Sequence, residues 1–530
     1  MKFSSTHISY HDARAFASIV LDYIDKKQLL QPFYTHQPNI QGIAAAVEER
    51  KKYVTPRAVL VQALQQQYQQ LEPNSVVNSN IQKLLLPNTF TVCTAHQPNI
   101  FTGRLYFIYK IAHAIQLAKA LSQQLPAYQF VPVYYMGSED GDIDELNNIF
   151  IHNEKIVWKT LQTGAVGRMH TENLECIINQ LADTFKYEPF ADTIISICKK
   201  AYQHNTIQNA SFYLVHELFK AYGLVVLIPD NKLLKNIFKP VVEQELVTQF
   251  SHKQLQQSIK KLSTYYNIQA TGRDINVFYL EGDRRERIEK ISNTYVVKKL
   301  NLVWEEEAIK ALLNVYPERF SPNVILRPLF QEMILPNIAF IGGGAELAYW
   351  LELKNIFDVQ KVPYPVLLLR NSFLLIEHKL YHKALNILKQ PNALFKPVQE
   401  QMRNYVHQHT EGVLQLDSLL TQHQKLYNAL AHKATTVDPT LMQHIQALEA
   451  KSLNRLKILE QKMFRAQKKK YTTIQQQLEK IHAAVFPNNL LQERIENIIP
   501  YYARWGSACI DTIVQNSLTT EQQFTIIAVE

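Results

Sequence analysis

Apolar residues along the chain collect into short unbroken runs separated by stretches with helical spacing. The runs are Phe90–Thr94, Phe130–Met136 (FVPVYYM), Leu224–Asp230 (LVVLIPD), Ile338–Ile341 and Tyr364–Ser372 (YPVLLLRNS). Each is apolar at successive positions, the pattern of a strand covered on both faces, and polar residues follow each of them. Phe90 to Leu121 reads as a buried strand, a polar turn and a long amphipathic helix beginning near Arg104. Strands alternating with helices predict an α/β fold with a mainly parallel sheet whose carboxyl ends gather ligand groups along one edge.

The flanking regions follow other patterns. Residues 1 to about 85 read mostly as helix, with helical spacing over His11–Lys27 and Ile43–Leu71 and a turn around Pro38. His36-Gln37-Pro38-Asn39-Ile40 recurs as His96-Gln97-Pro98-Asn99-Ile100 without matching flanks, which points to chance or a shared local turn and away from a duplicated unit. Residues 151–220 mix short strands with helices around a turn, Gly164–Arg168 (GAVGR), and read as an insertion. A second insertion spans 240–320, where Ile275–Leu280 and the charged GDRRERIEK predict a hairpin. Its Arg284, Arg285 and Arg287 are explained more simply as a solvated edge than as phosphate ligands.

Beyond Leu380 glycine almost vanishes and helical periodicity runs long. Leu416, Leu419, Leu420, Leu426 and Leu430 form one stripe, and Leu441, Ile445 and Leu448 start another after a break at Thr435–Pro439. This predicts an antiparallel helical hairpin, with Arg465 and Lys468–Lys470 on a solvated face, and a homodimer formed through it. The expected organisation is a helical lead-in (1–85), a core (86–380) carrying both insertions, the hairpin (381–485) and a return to the core (486–530).

Composition narrows the class. Hydrophobic residues make up 46%, no apolar run is long enough for a bilayer span, and the first residues are polar where a secretory signal would be apolar. A cytoplasmic protein without a membrane partner is the expectation. Four cysteines without C-x-x-C spacing suggest neither a zinc site nor a disulfide framework. The net charge of +9 suits anionic small molecules; spread over so long a chain, it is a poor argument for nucleic acid, which is not expected as a partner.

Candidate chemistry sits at the strand ends. His96, Gln97, Asn99, Thr102 and Gly103 occupy the first loop, where a helix follows and its free N–H groups favour anions. Glu139, Asp140, Asp142, Asp144 and Glu145 crowd the second strand end, to hold Mg²⁺, receive an ammonium group, act as a base or cap a helix. Arg327, Gln331 and Glu332 interrupt an apolar segment and need buried partners. Gly342-Gly343-Gly344, in a chain with only 14 glycines, marks a close backbone approach, either to a phosphate or aminoacyl group or within a tight turn.

The segments TAHQPNIFTGRLYFIYKIAHAIQLAK, VPVYYMGSEDGDIDELN, GAVGR, RPLFQEMILPNIAFIGGGAELAYWLELKNIF, YPVLLLRNS and FPNNLLQER, in that order along essentially the whole chain, resemble the BshC family, the cysteine ligases of bacillithiol biosynthesis. The resemblance implies a Rossmann-like core with connecting-peptide insertions, a C-terminal α-helical coiled coil that dimerises, and binding of ATP or ADP. It implies joining of cysteine to the amine of glucosaminyl-malate, with ATP and Mg²⁺ activating cysteine as an adenylate or a phosphate. On that reading His96, Gln97, Asn99, Gly103 and Lys110 lie at the phosphate or acyl end. Glu139, Asp140 and Asp142 meet the amine or Mg²⁺, and with His96 they are the catalytic candidates. Arg327, Gln331, Gly342, Gly343, Gly344 and Glu346 form the opposite wall. Arg104, Arg327 and Arg370 are the cations for the malate carboxylates, and Tyr502 and Trp505 are candidates to stack on adenine. The H-x-G-H and K-M-S-K-S signatures of class I aminoacyl-tRNA synthetases are missing, because His96 is followed by Gln97-Pro98-Asn99. A dimeric nucleotide- or sugar-metabolite-binding sensor, or a partner of another ligase, is the alternative reading.

Overall fold

The computed structural model describes residues 3–410 and 416–530; residues 411–415 of the predicted helical region lie outside them. The chain divides into two compact units, one of residues 1–375 and 490–527, the other of residues 376–489 with the last three.

The first unit is built on eight strands that matter here: β1 (Thr89–His96), β2 (Gln129–Met136), β3 (Val225–Leu227), β4 (Val277–Glu281), β5 (Arg284–Arg287), β6 (Phe320–Pro322), β7 (Asn337–Gly342) and β8 (Val366–Leu369). Five of them form one sheet in the order β8-β7-β1-β2-β3, and every adjacent pair is parallel. These are the five apolar runs of the sequence. Every residue of β1 is buried, and Phe90, Val92, Ile338, Ile341, Val366 and Leu368 join one apolar cluster with Ala114, Leu117 and Leu121. Each such side chain contributes about 1.5–3 kcal/mol on burial. The chain passes from β1 to β2 and β3 on one side and returns through β7 and β8 on the other, so the order reverses between β1 and β7. In open α/β sheets the crevice beyond that reversal is the place for ligands.

Four helices position the site: α1 (Leu105–Gln124), α2 (Lys232–Thr248), α3 (Arg327–Ile334) and α4 (Gly344–Glu352). Strands β4 and β5 are the predicted hairpin, and β6 pairs with β4 on its other side. The C-terminal strand Gln523–Val529 lies between Phe3–Ser9 and Ser372–Glu377 in a separate three-stranded sheet.

The N-terminal region corrects the sequence reading. Phe3–Ser9 is a strand, and the helix expected over His11–Lys27 is broken by Arg14, which adopts φ 51°. The helix expected over Ile43–Leu71 is two, Ile40–Arg50 and Arg57–Tyr68, because Pro56 disfavours helical geometry in the residue before it. The repeated His-Gln-Pro-Asn is a shared local turn: Asn39 N–H donates to Gln37 O at 2.8 Å, and Asn99 N–H to Gln97 O at 3.0 Å.

In the second unit, α5 (Asp417–Val437) and α6 (Leu441–Lys468) are joined by a short turn in which Asp438 accepts the N–H of Thr440 at 2.8 Å. They pack as a hairpin, and no residue of either helix is buried. Leu478 and Ile481 are buried on the following helix, Thr472–Val485. Among the described residues no helix is long and apolar enough to cross a membrane.

Candidate active site

All five parallel strands open onto one cleft of about 550 Å³. Ala95, His96 and Gln97 come from the end of β1, Gly137–Asp140 from β2, Pro229 from β3, Gly343–Glu346 from β7 and Arg370 from β8. The hairpin insertion adds Phe278 and Arg285, and Tyr106, Tyr135, Arg327, Tyr349 and Arg494 also line the cavity.

The first loop is held in an unusual conformation. Phe101, Thr102 and Gly103 all have positive φ, at 49°, 67° and 64°. Such geometry persists where surrounding contacts over-determine it. Asn497 from the C-terminal segment supplies those contacts, donating to Phe101 O at 2.8 Å and to Gly103 O at 2.5 Å, while Tyr202 Oη accepts the N–H of Phe101. Leu105 N–H, opening α1, bonds Glu496 O at 2.8 Å. The loop therefore presents only His96 and Gln97 to the cleft. Asn99 turns away to Glu145 O, Gly103 is a turn residue whose Cβ would strike Asn99, and Arg104 reaches toward Asn148. Those three predicted ligands do not line the cavity.

Charge in the cleft is mostly paired. Burial pushes the His96 imidazole well below its usual range, with Lys110, Arg104 and Arg370 adding to the effect, so His96 is neutral at pH 7. Its Nε2 has no protein partner among the described residues. Lys110, buried on α1, donates to Ala95 O at 2.9 Å and pairs closely with Glu346. Glu346 in turn accepts the N–H of Gly343 at 2.7 Å. The glycine run thus already holds a carboxylate from its own helix. Packing accounts for its neighbours: a Cβ on Gly342 would meet Leu347 and Phe340, and one on Gly344 would meet Phe16.

Glu139 lies 2.5 Å from Lys235 Nζ on α2, which also donates to Phe320 O at 2.9 Å. Burial raises the Glu139 carboxyl above its usual range, and Lys235 works against that rise. Asp140 accepts from Gln97 Nε2 at 3.0 Å and from Gly141 N–H at 2.7 Å. Asp142 is the cap of the short helix Ile143–Leu146, bonding Glu145 N–H, and stands outside the cleft. The acidic cluster therefore divides into cleft carboxylates and a helix cap.

The arginines divide in the same way. Arg370 is bidentate with Glu493, at 2.8 and 2.7 Å, so its charge is met within the protein. Arg327 instead donates to Gln331 Oε1 and Tyr349 Oη, both at 3.0 Å, and its guanidinium lies over the Tyr135 ring. Gln331 is fully buried and passes the contact to Glu332, which pairs with Arg50; it orients Arg327 without touching the cavity. Arg285 stacks 3.9 Å from the Phe278 ring centroid and donates to Ser321 Oγ and Pro322 O, both at 3.2 Å. Burial pulls its pKa down. Among the described residues neither Arg285 nor Arg327 has an ion-pair partner. The sequence reading favours a solvated edge for Arg285, because nothing local marks its packing on Phe278 and its bonds to Ser321 and Pro322. Tyr502 and Trp505 lie on the helix Ile499–Trp505, outside the cleft.

The arrangement can receive an anion at two guanidiniums and a proton at a carboxylate of raised pKa. Comparison with known proteins places it in a lineage. The N-terminal Rossmann-like domain of bacillithiol biosynthesis BshC matches residues 1–371, and the C-terminal coiled-coil domain of the same family matches residues 373–529. A protein of Flavobacterium johnsoniae named "Putative cysteine ligase BshC" is 36% identical over 98% of this chain and 99% of its own. Relatives of the same name from Christiangramia forsetii and Flavobacterium psychrophilum are each 37% identical over 98% of both chains. With both family domains matched in order across nearly its full length, the chain belongs to the BshC family of bacillithiol biosynthesis.

Proposed function

We propose that this protein is a cysteine ligase that joins the carboxyl group of cysteine to the amine of glucosaminyl-malate, using ATP to activate cysteine. The observation that carries the reading is the pair of partly buried guanidiniums, Arg285 and Arg327, that line one cleft without a carboxylate ion-pair partner among the described residues. Charges drawn partly out of water are favoured when they meet an opposite charge. An acceptor bearing malate carboxylates supplies the missing charge. Arg370, already bound to Glu493, and Arg104, turned away, are replaced by Arg285 in this role.

ATP supplies the leaving group on the cysteine carboxyl. The chain's residues do the rest. Glu139 takes the proton that the amine releases as its nitrogen forms the new bond to the cysteine carbonyl carbon and the bond to the leaving group breaks. Lys235 favours the ionised form of that carboxylate against the effect of burial and holds it in place. Neutral His96, with its free Nε2, and Gln97 hold the acyl oxygen. The acidic loop offers no ready cage for Mg²⁺, since Glu139, Asp140 and Asp142 each have protein partners; Mg²⁺ enters with the nucleotide phosphates.

The reading places the enzyme in the cytoplasm, as a homodimer through α5 and α6. Leu419, Leu426 and Leu430, spaced seven and four apart, are 53%, 57% and 41% exposed on that hairpin, a stripe that a second copy would cover.

The test of the site is acceptor affinity. Replacing Arg285 or Arg327 by Met should raise KM for glucosaminyl-malate by about tenfold or more, the cost of one charge-assisted pair, while KM for cysteine stays near wild type. Equal losses for both substrates would sink the assignment.

A further inference from the structure

The GAVGR segment plays no part in the chemistry above, yet it touches three separate pieces of the cleft wall. Val166 N–H donates to Asp140 O and Gly167 N–H to Ser138 O, both at 2.8 Å, tying the segment to the acidic loop after β2. Ala165 N–H donates to Asp283 O at 2.7 Å, tying it to the turn of the β4–β5 hairpin that carries Arg285. Arg168 closes the set. Its Nε and Nη2 grip both oxygens of Asp230, just past β3, at 2.7 Å, and its Nη1 donates to Gly282 O at 2.7 Å.

The glycines are required by these contacts. Gly164 has φ 105°, and a Cβ there would lie 2.1 Å from Asp283 O; a Cβ on Gly167 would lie 2.4 Å from Ser138 O. Both obstacles are backbone, which cannot swing aside. A segment selected only for turning would not need close approach on two sides and a bidentate arginine on a third.

We propose that Gly164–Arg168 is a brace that holds the carboxylate loop and the Arg285 hairpin at a fixed separation across the cleft, with Arg168 as a positioning residue for acceptor recognition. The role in recognition rests on the ligase reading above. The brace itself does not. Arg168 acts through Arg285 and Glu139; it does not line the cavity.

Amide hydrogen exchange on the full chain tests the brace without any substrate. In Arg168→Met and in Asp230→Asn, segments 138–141 and 281–285 should both exchange about tenfold faster or more, as local openings do when a charge-assisted pair is lost, while β1 and β2 keep their protection. Faster exchange throughout the first unit, or change confined to residues next to the substitution, overturns the proposal. Kinetics then test the role in recognition. Arg168→Met should raise KM for glucosaminyl-malate more than KM for cysteine, Arg168→Lys should recover part of the loss, and adding Arg168→Met to Arg285→Met should cost little more than Arg285→Met alone. Additive losses would mean that Arg168 does not act through Arg285. If the wild type forms no product, the ligase reading fails, and the exchange result still decides the brace.

Discussion

At the scale of single residues, the informative feature is which charges are met inside the protein. Arg370 looked like a ligand from its place after an apolar strand, and Glu493, more than a hundred positions away, takes its charge. Arg285 looked like a solvated edge residue and, like Arg327, lines the cleft with no ion-pair partner among the described residues. Sequence shows a side chain's chemistry but not its distant partner. His113 makes the same point on α1: it is fully buried where an amphipathic pattern would leave it ambiguous, with its Nε2 on Thr519 O at 2.7 Å and its Nδ1 accepting from Asn371 N–H at 3.3 Å. Burial lowers its pKa to about 4, below the ordinary 6.5. The unfolded chain therefore binds the proton first as pH falls. His113's contribution to stability is complete above pH 6.5 and is lost as pH falls through about 4. In an NMR titration its ring resonances should stay unchanged from pH 8 to about 5. A midpoint near 6.5 would show that the ring is not sealed as described.

At the scale of elements, the parallel strands were legible because burial on both faces leaves continuous apolar runs, and their polar ends were legible because something must follow a buried strand. The conformation of the loop after β1 was not. Three successive residues with positive φ are held there by Asn497, a partner that only the fold brings near. Glycine at 103 relieves one of those three positions. Gly103→Ala should destabilise the protein by about 1–3 kcal/mol, through the strained φ and the clash with Asn99. Urea unfolding measures this directly; an unchanged midpoint would mean that the loop relaxes freely. The glycine run at 342–344 teaches the opposite lesson. Close approaches to Leu347 and Phe340 account for Gly342 and one to Phe16 for Gly344, while Gly343 lines the cleft without a close packing contact.

At the scale of the whole molecule, the change from a strand-and-helix pattern to long helical periodicity was visible in the sequence, because a packed sheet and a two-helix hairpin need different spacing of apolar residues. The N-terminal strand was missed, since Phe3–Ser9 is largely polar and finds its partner at the far end of the chain. Association is predicted from the hairpin's unburied leucines. Leu419→Asp with Leu426→Asp should shift the protein from dimer to monomer in sedimentation velocity without altering the helical signal in circular dichroism. A dimer that survives both changes would place the interface elsewhere.

The central claim is that the cleft makes an amide from cysteine. Purified protein should be incubated with ATP, Mg²⁺, cysteine and glucosaminyl-malate, and the mixture followed by mass spectrometry beside Glu139→Gln and His96→Ala. The account predicts the cysteine–glucosaminyl-malate amide from the wild type and its loss in the variants, with Glu139→Gln down by about a hundredfold or more, as expected for removal of a general base. Absence of product with wild-type protein, or undiminished product from Glu139→Gln, would contradict it.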